Sequence, residues 1–215
     1  MAHVIGIMGA SGSGKTTSMR NLDPKTTFYI DCDKKGLSWK GWRQQYQFEK
    51  GNYMATDQIS TVIQILNKIS TDEKNKHIKT VIIDTLNGLM VADEMRRMKE
   101  TGYNKWQDLA QCVWDLLNKL YTFRDDLTII VLCHSQTQKD EDGYMWTRIK
   151  TSGKKLDKLE IETKLTTVLY ATNKNGKYVF ETHANNSTTK TPFGAFEADE
   201  IDNDIVKVLE VLKDY

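Results

Sequence analysis

The hydrophobic residues of this chain fall into two kinds of segment, short continuous runs and longer stretches with helical spacing. Residues 4–8, 28–30, 81–83 and 127–133 are almost entirely apolar, and each run is followed by a glycine or a polar residue. A strand that is buried on both faces shows this continuous pattern. These runs therefore predict the central strands of a parallel sheet.

The longer segments have one apolar face each. Apolar residues recur at helical spacing in residues 59–69, 106–120 and 205–212, which predicts amphipathic helices. Residues 168–171 and 178–182 flank the turn-forming sequence Asn-Lys-Asn-Gly-Lys and predict an antiparallel hairpin near the C-terminus. The predicted fold class is α/β, with a mostly parallel central sheet flanked by helices and an antiparallel C-terminal hairpin.

Length and composition indicate one domain. The chain has 215 residues and two prolines, which leaves little room for a flexible linker, so we expect a single domain over residues 1–215. We find no signal peptide and no membrane-spanning run, and the three cysteines lack metal-ligand spacing, as in a reduced cytoplasmic protein. The net charge of +1 says nothing about partners, so local patterns have to indicate them.

The run at residues 4–8 leads into Gly-Ala-Ser-Gly-Ser-Gly-Lys-Thr, which fits the phosphate-binding loop pattern. Glycines permit a tight turn whose backbone N–H groups surround phosphate oxygens, and the following helix adds its positive end. Lys15 reaches the outer phosphates, and the Thr16 hydroxyl is a hard ligand for Mg²⁺. The predicted nucleotide-binding residues are Gly9, Ala10, Ser11, Gly12, Ser13, Gly14, Lys15, Thr16 and Thr17.

Asp84 ends the third apolar run. An aspartate at this position, downstream of a phosphate-binding loop, has the Walker-B role of holding Mg²⁺. The next residue is Thr85 rather than a glutamate, so a base that activates water has to come from elsewhere. Together with Thr16, Asp84 is the predicted metal site, and the predicted cofactors are ATP and Mg²⁺.

Two acidic residues follow the second run. Asp31 and Asp33 lie where the carboxyl end of a parallel strand places ligands, so either carboxylate could orient the attacking water. A solvated turn is the alternative, because aspartates are common in turns. We favour Asp33 as the base and leave the role of Asp31 open.

His134 follows the fourth run and is predicted either to sense the terminal phosphate or only to cap the strand. Behind it lies a basic segment with interleaved aromatic residues, a composition typical of single-strand binding surfaces and also of exposed hairpins. Because this segment directly follows His134, we favour a nucleic-acid-binding surface over an ordinary exposed hairpin. The predicted DNA-binding residues are Lys139, Tyr144, Trp146, Arg148, Lys150, Lys154 and Lys155.

A second aromatic segment, residues 38–53, carries two tryptophans, two tyrosines and a phenylalanine among basic residues and glutamines. It could stack bases, but an aromatic patch that covers the edge of a sheet is the interpretation we favour.

In order and spacing these motifs resemble the RecA-like ATPases, and most of all the compact phage-encoded RecA-core proteins of single-strand annealing and recombination. The resemblance rests on the loop, on Tyr-Ile-Asp-Cys-Asp at residues 29–33, on Val-Ile-Ile-Asp-Thr at 81–85 and on the basic segment after His134. It covers nearly the whole chain. It departs from the family at Asp33, where a glutamate is usual, and at His134, where a glutamine is usual.

The resemblance implies further roles. Lys15, Asp33, Asp84 and His134 are the catalytic residues, and residues 100–105 and 138–155 match two DNA-facing loops. Lys190, which lies just before Pro192, matches the cation that a neighbouring subunit contributes, with Lys174 and Lys177 as alternatives.

The expected partners are single-stranded DNA, further copies of the chain in a ring or filament, and a single-strand DNA-binding protein, with no membrane. The expected location is the cytoplasm, which is that of the host cell if the chain is phage-encoded.

The sequence thus predicts an oligomeric, DNA-stimulated ATPase that promotes annealing or strand pairing. A small-molecule phosphotransferase and a nucleotide-gated interaction module with little turnover are the alternatives. The phosphotransferase would need an arginine-rich lid, and beyond the first helix the arginines are scattered.

Overall fold

A computed structural model describes residues 1–102, 104–139, 143–152 and 160–215 of the chain. Within these residues the strands are β1 (His3–Gly9), β2 (Thr27–Asp31), β3 (Tyr53–Ala55), β4 (Thr80–Asp84), β5 (Thr128–Lys139), β6 (Met145–Ile149), β7 (Thr167–Lys174), β8 (Lys177–Glu181) and β9 (Glu200–Asp202). The α-helices are α1 (Trp42–Gln45), α2 (Ile59–Thr71), α3 (Leu86–Arg96), α4 (Asn104–Leu120) and α5 (Ile205–Leu212).

The strands form one sheet in the order β3-β2-β4-β5-β1-β7-β8-β9, and β6 pairs with the far half of β5. Along this spatial order, neighbouring strands from β3 through β2, β4, β5 and β1 to β7 pair in parallel. β8 and β9 are added antiparallel at the β7 edge. The predicted fold class is therefore confirmed.

Parallel pairing brings the chemically interesting strand ends together. Asp31 on β2 is in register with Asp84 on β4, and Gly9 on β1 is in register with His134 on β5. Because β5 lies between β1 and β4, the loop after β1 and the acidic ends of β2 and β4 share one edge of the sheet.

Each apolar strand supplies both faces of the sheet. On β1, Val4 and Met8 belong to the hydrophobic cluster on one face, and Ile5 and Ile7 belong to the cluster on the other. Helices α2, α3 and α4 cover the first face, and α5 with the aromatic segment covers the second. This two-sided burial is why the strands read as continuous apolar runs.

The aromatic segment packs against the sheet. The ring of Tyr29 contacts Trp39 and Tyr46 edge to face, with centroids 6.3 and 5.5 Å away, and Trp42 lies 5.7 Å from Tyr53. These contacts agree with the interpretation of residues 38–53 as a cover for the sheet.

The predicted helices at residues 59–69, 106–120 and 205–212 are confirmed as α2, α4 and α5. The prediction of a regular helix after the phosphate-binding loop is wrong. Only Thr17–Met19 forms a 3₁₀ helix, because the Met19 and Arg20 amides bond three residues back and the chain turns before Pro24.

A second difference concerns the fourth apolar run, which we expected to end as a strand before His134. β5 continues to Lys139 and pairs antiparallel with β6, from Ser135 opposite Ile149 to Lys139 opposite Met145. Backbone pairing with β6 extends the strand. The residues there can be polar because both faces of this part of the strand are partly open to water. We call β6 and residues 135–139 of β5 the ribbon.

Candidate nucleotide site

The loop after β1 has the backbone of a phosphate cradle. Gly12 and Gly14 adopt φ angles of 77° and 92°, which favour glycine, and the Ser13 amide donates to the Ala10 carbonyl oxygen at 3.2 Å. Space is also short around the loop. A Cβ atom on Gly14 would lie 2.8 Å from the ring of Tyr178 on β8 and 3.1 Å from the Asn203 amide oxygen.

Lys15 lies folded into this loop. Its ammonium donates to the carbonyl oxygens of Gly9 at 2.8 Å and Ala10 at 2.7 Å, and its side chain is almost fully buried. Burial lowers the pKa of Lys15 to about 8, although the negative charge of Asp84 opposes the shift. A cation held by two carbonyl groups is ready to exchange them for phosphate oxygens.

Asp84 is the buried carboxylate of the site. Its Oδ2 atom accepts hydrogen bonds from the Thr16 hydroxyl at 2.8 Å and from the Tyr29 hydroxyl at 2.6 Å, whereas the buried Oδ1 atom accepts none. Burial raises the pKa of Asp84, and the hydrogen bonds from Tyr29 and Thr16 oppose that rise.

These groups fit Mg²⁺. A buried carboxylate oxygen with no hydrogen bond, beside a threonine hydroxyl, offers the hard oxygen ligands that this ion prefers. Among the residues that the structure describes, no group of three or more His, Cys, Asp or Glu side chains could hold a metal ion.

The two aspartates after β2 have different surroundings. Asp31 is buried and accepts hydrogen bonds from the Gly36 amide at 2.7 Å and the Tyr53 hydroxyl at 2.8 Å, so it holds the local backbone. Asp33 is partly exposed. It accepts a hydrogen bond from the Thr85 hydroxyl at 3.1 Å and pairs with the Lys35 ammonium at 2.5 Å.

His134 lies where β5 passes from the core into the ribbon. Its backbone amide donates to the Asn87 Oδ1 atom at 2.7 Å, and its carbonyl oxygen accepts from the Lys150 amide at 2.7 Å. The Asn87 Nδ2 group donates to the Lys150 carbonyl oxygen at 2.8 Å. Burial, helped by the positive charge of Lys15, lowers the pKa of His134 and so favours its neutral ring.

Asp33 and His134 face the same cleft, a space of about 330 Å³ that Asn87 and Gly88 also line. The structure therefore brings together the loop, Asp84, Asp33 and His134 at one edge of the sheet, and their roles there stay predictions.

Sequence reasoning missed three residues of this site. Tyr29 reads as one more apolar residue of a buried strand, Lys35 as a surface lysine, and Asn87 as the start of a helix. Of these three, only Lys35 could have been suspected from the sequence, because it lies two residues after Asp33, the expected catalytic base. The contacts of Tyr29 and Asn87 join residues that are 47 to 63 positions apart in sequence.

The predicted DNA-binding residues that the structure describes lie on the ribbon or, for Tyr144 and Lys150, directly next to β6. Tyr144 is 69% exposed and Trp146 is 38% exposed, and Lys139 and Lys150 are exposed as well. Arg148 is different, since its largely buried side chain lies 3.7 Å from Glu162. Lys154 and Lys155 lie outside the described residues.

Lys190, the predicted cation for a neighbouring site, is tied to the sheet. Its backbone exchanges two hydrogen bonds with Val168 of β7, and its side chain lines a cleft of about 460 Å³ together with Trp146, Arg148 and Glu162. Burial lowers the pKa of Lys190, and the negative charge of Glu162 opposes that shift.

No helix among the described residues is long and apolar enough to cross a membrane. Of the three cysteines, Cys32 and Cys133 are buried thiols and Cys112 is exposed.

Comparison with known proteins agrees with the loop and the sheet. The sequence model of the family described as AAA domain matches residues 1–192. No curated protein matches the chain. The prediction of a P-loop core is confirmed, and the closer resemblance to recombination proteins stays a prediction. Because the match covers most of the chain, this protein belongs to the AAA domain family of P-loop nucleotide-binding proteins.

Proposed function

We propose that this protein hydrolyses ATP and binds single-stranded DNA along the ribbon, and that it promotes annealing or strand pairing as a homo-oligomer. The observation that carries the proposal is the continuity of β5. One uninterrupted strand has His134 at the nucleotide cleft and Lys139 at the far end of the ribbon. A change at the cleft therefore has a short, rigid path to the DNA-facing residues.

The nucleotide chemistry follows from the groups at the sheet edge. Backbone N–H groups of residues 9–16 surround the phosphates, and Lys15 exchanges its carbonyl partners for phosphate oxygens. Thr16 and the Oδ1 atom of Asp84 would hold Mg²⁺, which neutralises charge on the phosphate oxygens when it is bound.

Asp33 is the base in this proposal. Water forms a bond to the γ-phosphorus and the bond to the bridging oxygen breaks, so that its electron pair leaves with ADP. The proton of the water passes to the Asp33 carboxylate. Thr85 orients that carboxylate through the hydrogen bond to Oδ1.

Asn87 couples the cleft to the ribbon. Its single side chain contacts the backbone of β5 at His134 and the backbone just after β6 at Lys150, so it fixes one strand against the other. A shift of His134 on loss of the terminal phosphate would move both strands together.

The ribbon has the chemistry to bind a single strand. Exposed Tyr144 and Trp146 offer faces on which bases stack, and exposed Lys139 and Lys150 attract phosphates. Assembly into a ring or filament, and cooperation with a single-strand DNA-binding protein, are supported by the resemblance to RecA-like proteins alone.

ATP hydrolysis measured with and without oligo(dT), together with DNA binding across a salt series, tests the proposal. We expect turnover that DNA stimulates, and affinity for oligo(dT) that falls steeply as salt rises. Trp146→Ala and Lys139→Glu should weaken DNA binding and leave basal ATP hydrolysis intact. Phe48→Ala and Lys68→Glu, at exposed positions away from the ribbon, are the matched controls.

Four outcomes contradict the proposal. Salt-independent or absent DNA binding would refute the single-strand part. Turnover that depends on a small-molecule acceptor would favour a phosphotransferase, and tight ATP binding without turnover would favour a nucleotide-gated interaction module. Light scattering with ATP and oligo(dT) tests assembly, and a particle the size of one chain would refute the oligomer.

A further inference from the structure

Lys35 lies on a short excursion of the chain over the nucleotide site. The backbone leaves the core at buried Cys32 and returns to it at buried Leu37. Between them, the Gly36 amide is fixed to the buried Asp31 carboxylate at 2.7 Å. The position of the Lys35 backbone is therefore set by the core on both sides, while its side chain is 56% exposed.

The backbone is bent to place Lys35 there. Lys34 has a φ of 55°, a left-handed conformation that is uncommon for a residue other than glycine and costs roughly 1–3 kcal/mol. This bend lets the Lys34 side chain pair with Asp57 at 2.5 Å on the wall of the cleft, while Lys35 turns back to Asp33.

The ion pair with Asp33 does not by itself offset this strain. Exposed pairs contribute only about 0–1 kcal/mol to stability, because water screens them and long side chains lose freedom. The ion pair between Lys35 and Asp33 is therefore not what holds the strained turn in place, and the position of Lys35 beside the expected base suggests a role in the site.

The charges around Lys35 suggest that role. The charges of Lys15, Lys35, Asp33 and Asp84 sum to zero, so these four groups do not neutralise the negative charge that a triphosphate brings into the site. Lys15 is buried in the loop, whereas Lys35 is exposed and has a flexible side chain. The positive charge of Lys35 also lowers the pKa values of Lys15, Asp84 and His134, so Lys35 interacts electrostatically with all three groups.

We propose that Lys35 is a cis-acting catalytic cation that leaves Asp33 to bind the terminal phosphate of a bound nucleoside triphosphate. The exchange has two effects. The ammonium neutralises charge that develops on the phosphate oxygens, and the Asp33 carboxylate is released to accept the proton of the attacking water. This inference rests on the proposed function, and it gives each subunit its own second cation whether or not a neighbour supplies Lys190.

Affinities for ATP and ADP, measured with Lys35→Gln, Lys35→Arg and the matched control Lys34→Gln, test the inference. Displacement of a fluorescent ADP analogue gives both affinities without any hydrolysis. For Lys35→Gln we expect ATP affinity to fall about 10-fold while ADP affinity changes less than about 2-fold. Lys35→Arg should restore most of the preference for ATP, and Lys34→Gln should behave as wild type.

Steady-state hydrolysis gives the second readout. With Lys35→Gln we expect kcat to fall at least about 10-fold, as for other groups that stabilise charge in the transition state. An unchanged ATP-to-ADP affinity ratio would overturn the inference, and so would a raised kcat, which would make Lys35 only a restraint on Asp33. If wild type binds ATP but does not hydrolyse it, the proposed ATPase fails, and the affinity ratio still decides the role of Lys35.

Discussion

Lys15 shows how a single residue can serve binding at the expense of folding. Its buried ammonium has two carbonyl oxygens as partners, and burial lowers its pKa from 10.5 to about 8. Below pH 8 the folded protein keeps Lys15 protonated although burial disfavours the charged form. The shift corresponds to roughly 3 kcal/mol of lost stability, at 1.36 kcal/mol for each pKa unit.

We therefore expect Lys15→Met to be more stable than wild type by about 1–3 kcal/mol at pH 7, although it loses ATP binding. The gain should shrink between pH 8 and pH 10.5, because in that window the folded wild type has already released the proton that the unfolded chain keeps. Urea unfolding at several pH values measures it. Lys68→Met on the exposed side of α2 is the control, and equal stability of both variants would contradict the prediction.

Tyr29 leads to a second prediction at the scale of the residue. Tyr29→Phe removes the 2.6 Å hydrogen bond to Asp84 and should cost about 1.5–3 kcal/mol of stability, as for a bond to a charged group. That bond opposes the raised pKa of Asp84, so its loss raises the pKa further. ATP hydrolysis by the variant should then need more Mg²⁺ than hydrolysis by wild type. On acidification its activity should fall at a higher pH than that of wild type, because Asp84 is protonated earlier.

A Mg²⁺ titration of hydrolysis at several pH values checks the Tyr29 prediction. Tyr53→Phe is the matched control, because Tyr53 donates a similar bond to the other buried aspartate, Asp31, at 2.8 Å. It should cost stability and leave the Mg²⁺ requirement unchanged. Identical Mg²⁺ titrations for the two variants would mean that Tyr29 does not position Asp84.

At the scale of the element, β5 and the start of α3 join the nucleotide site to the ribbon through Asn87. Asn87→Ala should abolish the stimulation of hydrolysis by oligo(dT) and keep most of the basal rate, because His134 and Lys150 lose their common partner. It should also cost about 1–3 kcal/mol for the backbone groups left without a bond. The ratio of hydrolysis rates with and without DNA is the measurement.

Asn52→Ala is a control of the same kind. Asn52 is also buried and bridges backbone groups of Pro24, Gln45 and Gln47, far from β5 in the sheet. Full DNA stimulation in Asn87→Ala, or equal loss in both variants, would argue against a coupling role for Asn87.

The elements themselves were largely predictable from the sequence. Continuous apolar runs identified β1, β2, β4 and the first half of β5, because burial on both faces leaves little choice of residue. The ribbon was missed as a strand, because His134 and the residues after it are polar and only pairing with β6 makes them extended. The 3₁₀ turn at Thr17–Met19 was missed because loop motifs do not determine how long the next helix is.

The sequence could predict those residues of the site that belong to a local pattern at the end of a single strand. Asp84 and Lys15 have their own local patterns. The hydrogen bond between Tyr29 and Asp84 depends on which strands are neighbours, and sequence spacing does not reveal that.

At the scale of the whole molecule, the C-terminal residues complete the structure of the loop. Arg20 donates to the Asn203 carbonyl oxygen at 3.0 Å, and Asn21 donates to the Asp204 carboxylate at 2.6 Å. Ile205, Val208 and Leu212 of α5 are buried against the sheet.

Removal of residues 195–215 should therefore unfold the protein or nearly do so. Three buried aliphatic side chains contribute roughly 5–9 kcal/mol, at 1.5–3 kcal/mol each, and that approaches the whole stability of a typical domain. Thermal unfolding followed by circular dichroism is the measurement. Val211→Ala, at a partly exposed position of α5, is the mild control. A shortened chain that melts cooperatively near the wild-type temperature would refute the prediction.

The contact between Gly14 and β8 also bears on how this protein could be engineered. Tyr178 of β8 confines the backbone of the nucleotide loop together with Asn203, which lies beyond the family match that ends at residue 192. The loop cannot be transplanted as a cassette with its own strand, because the wall that shapes it comes from the opposite end of the chain.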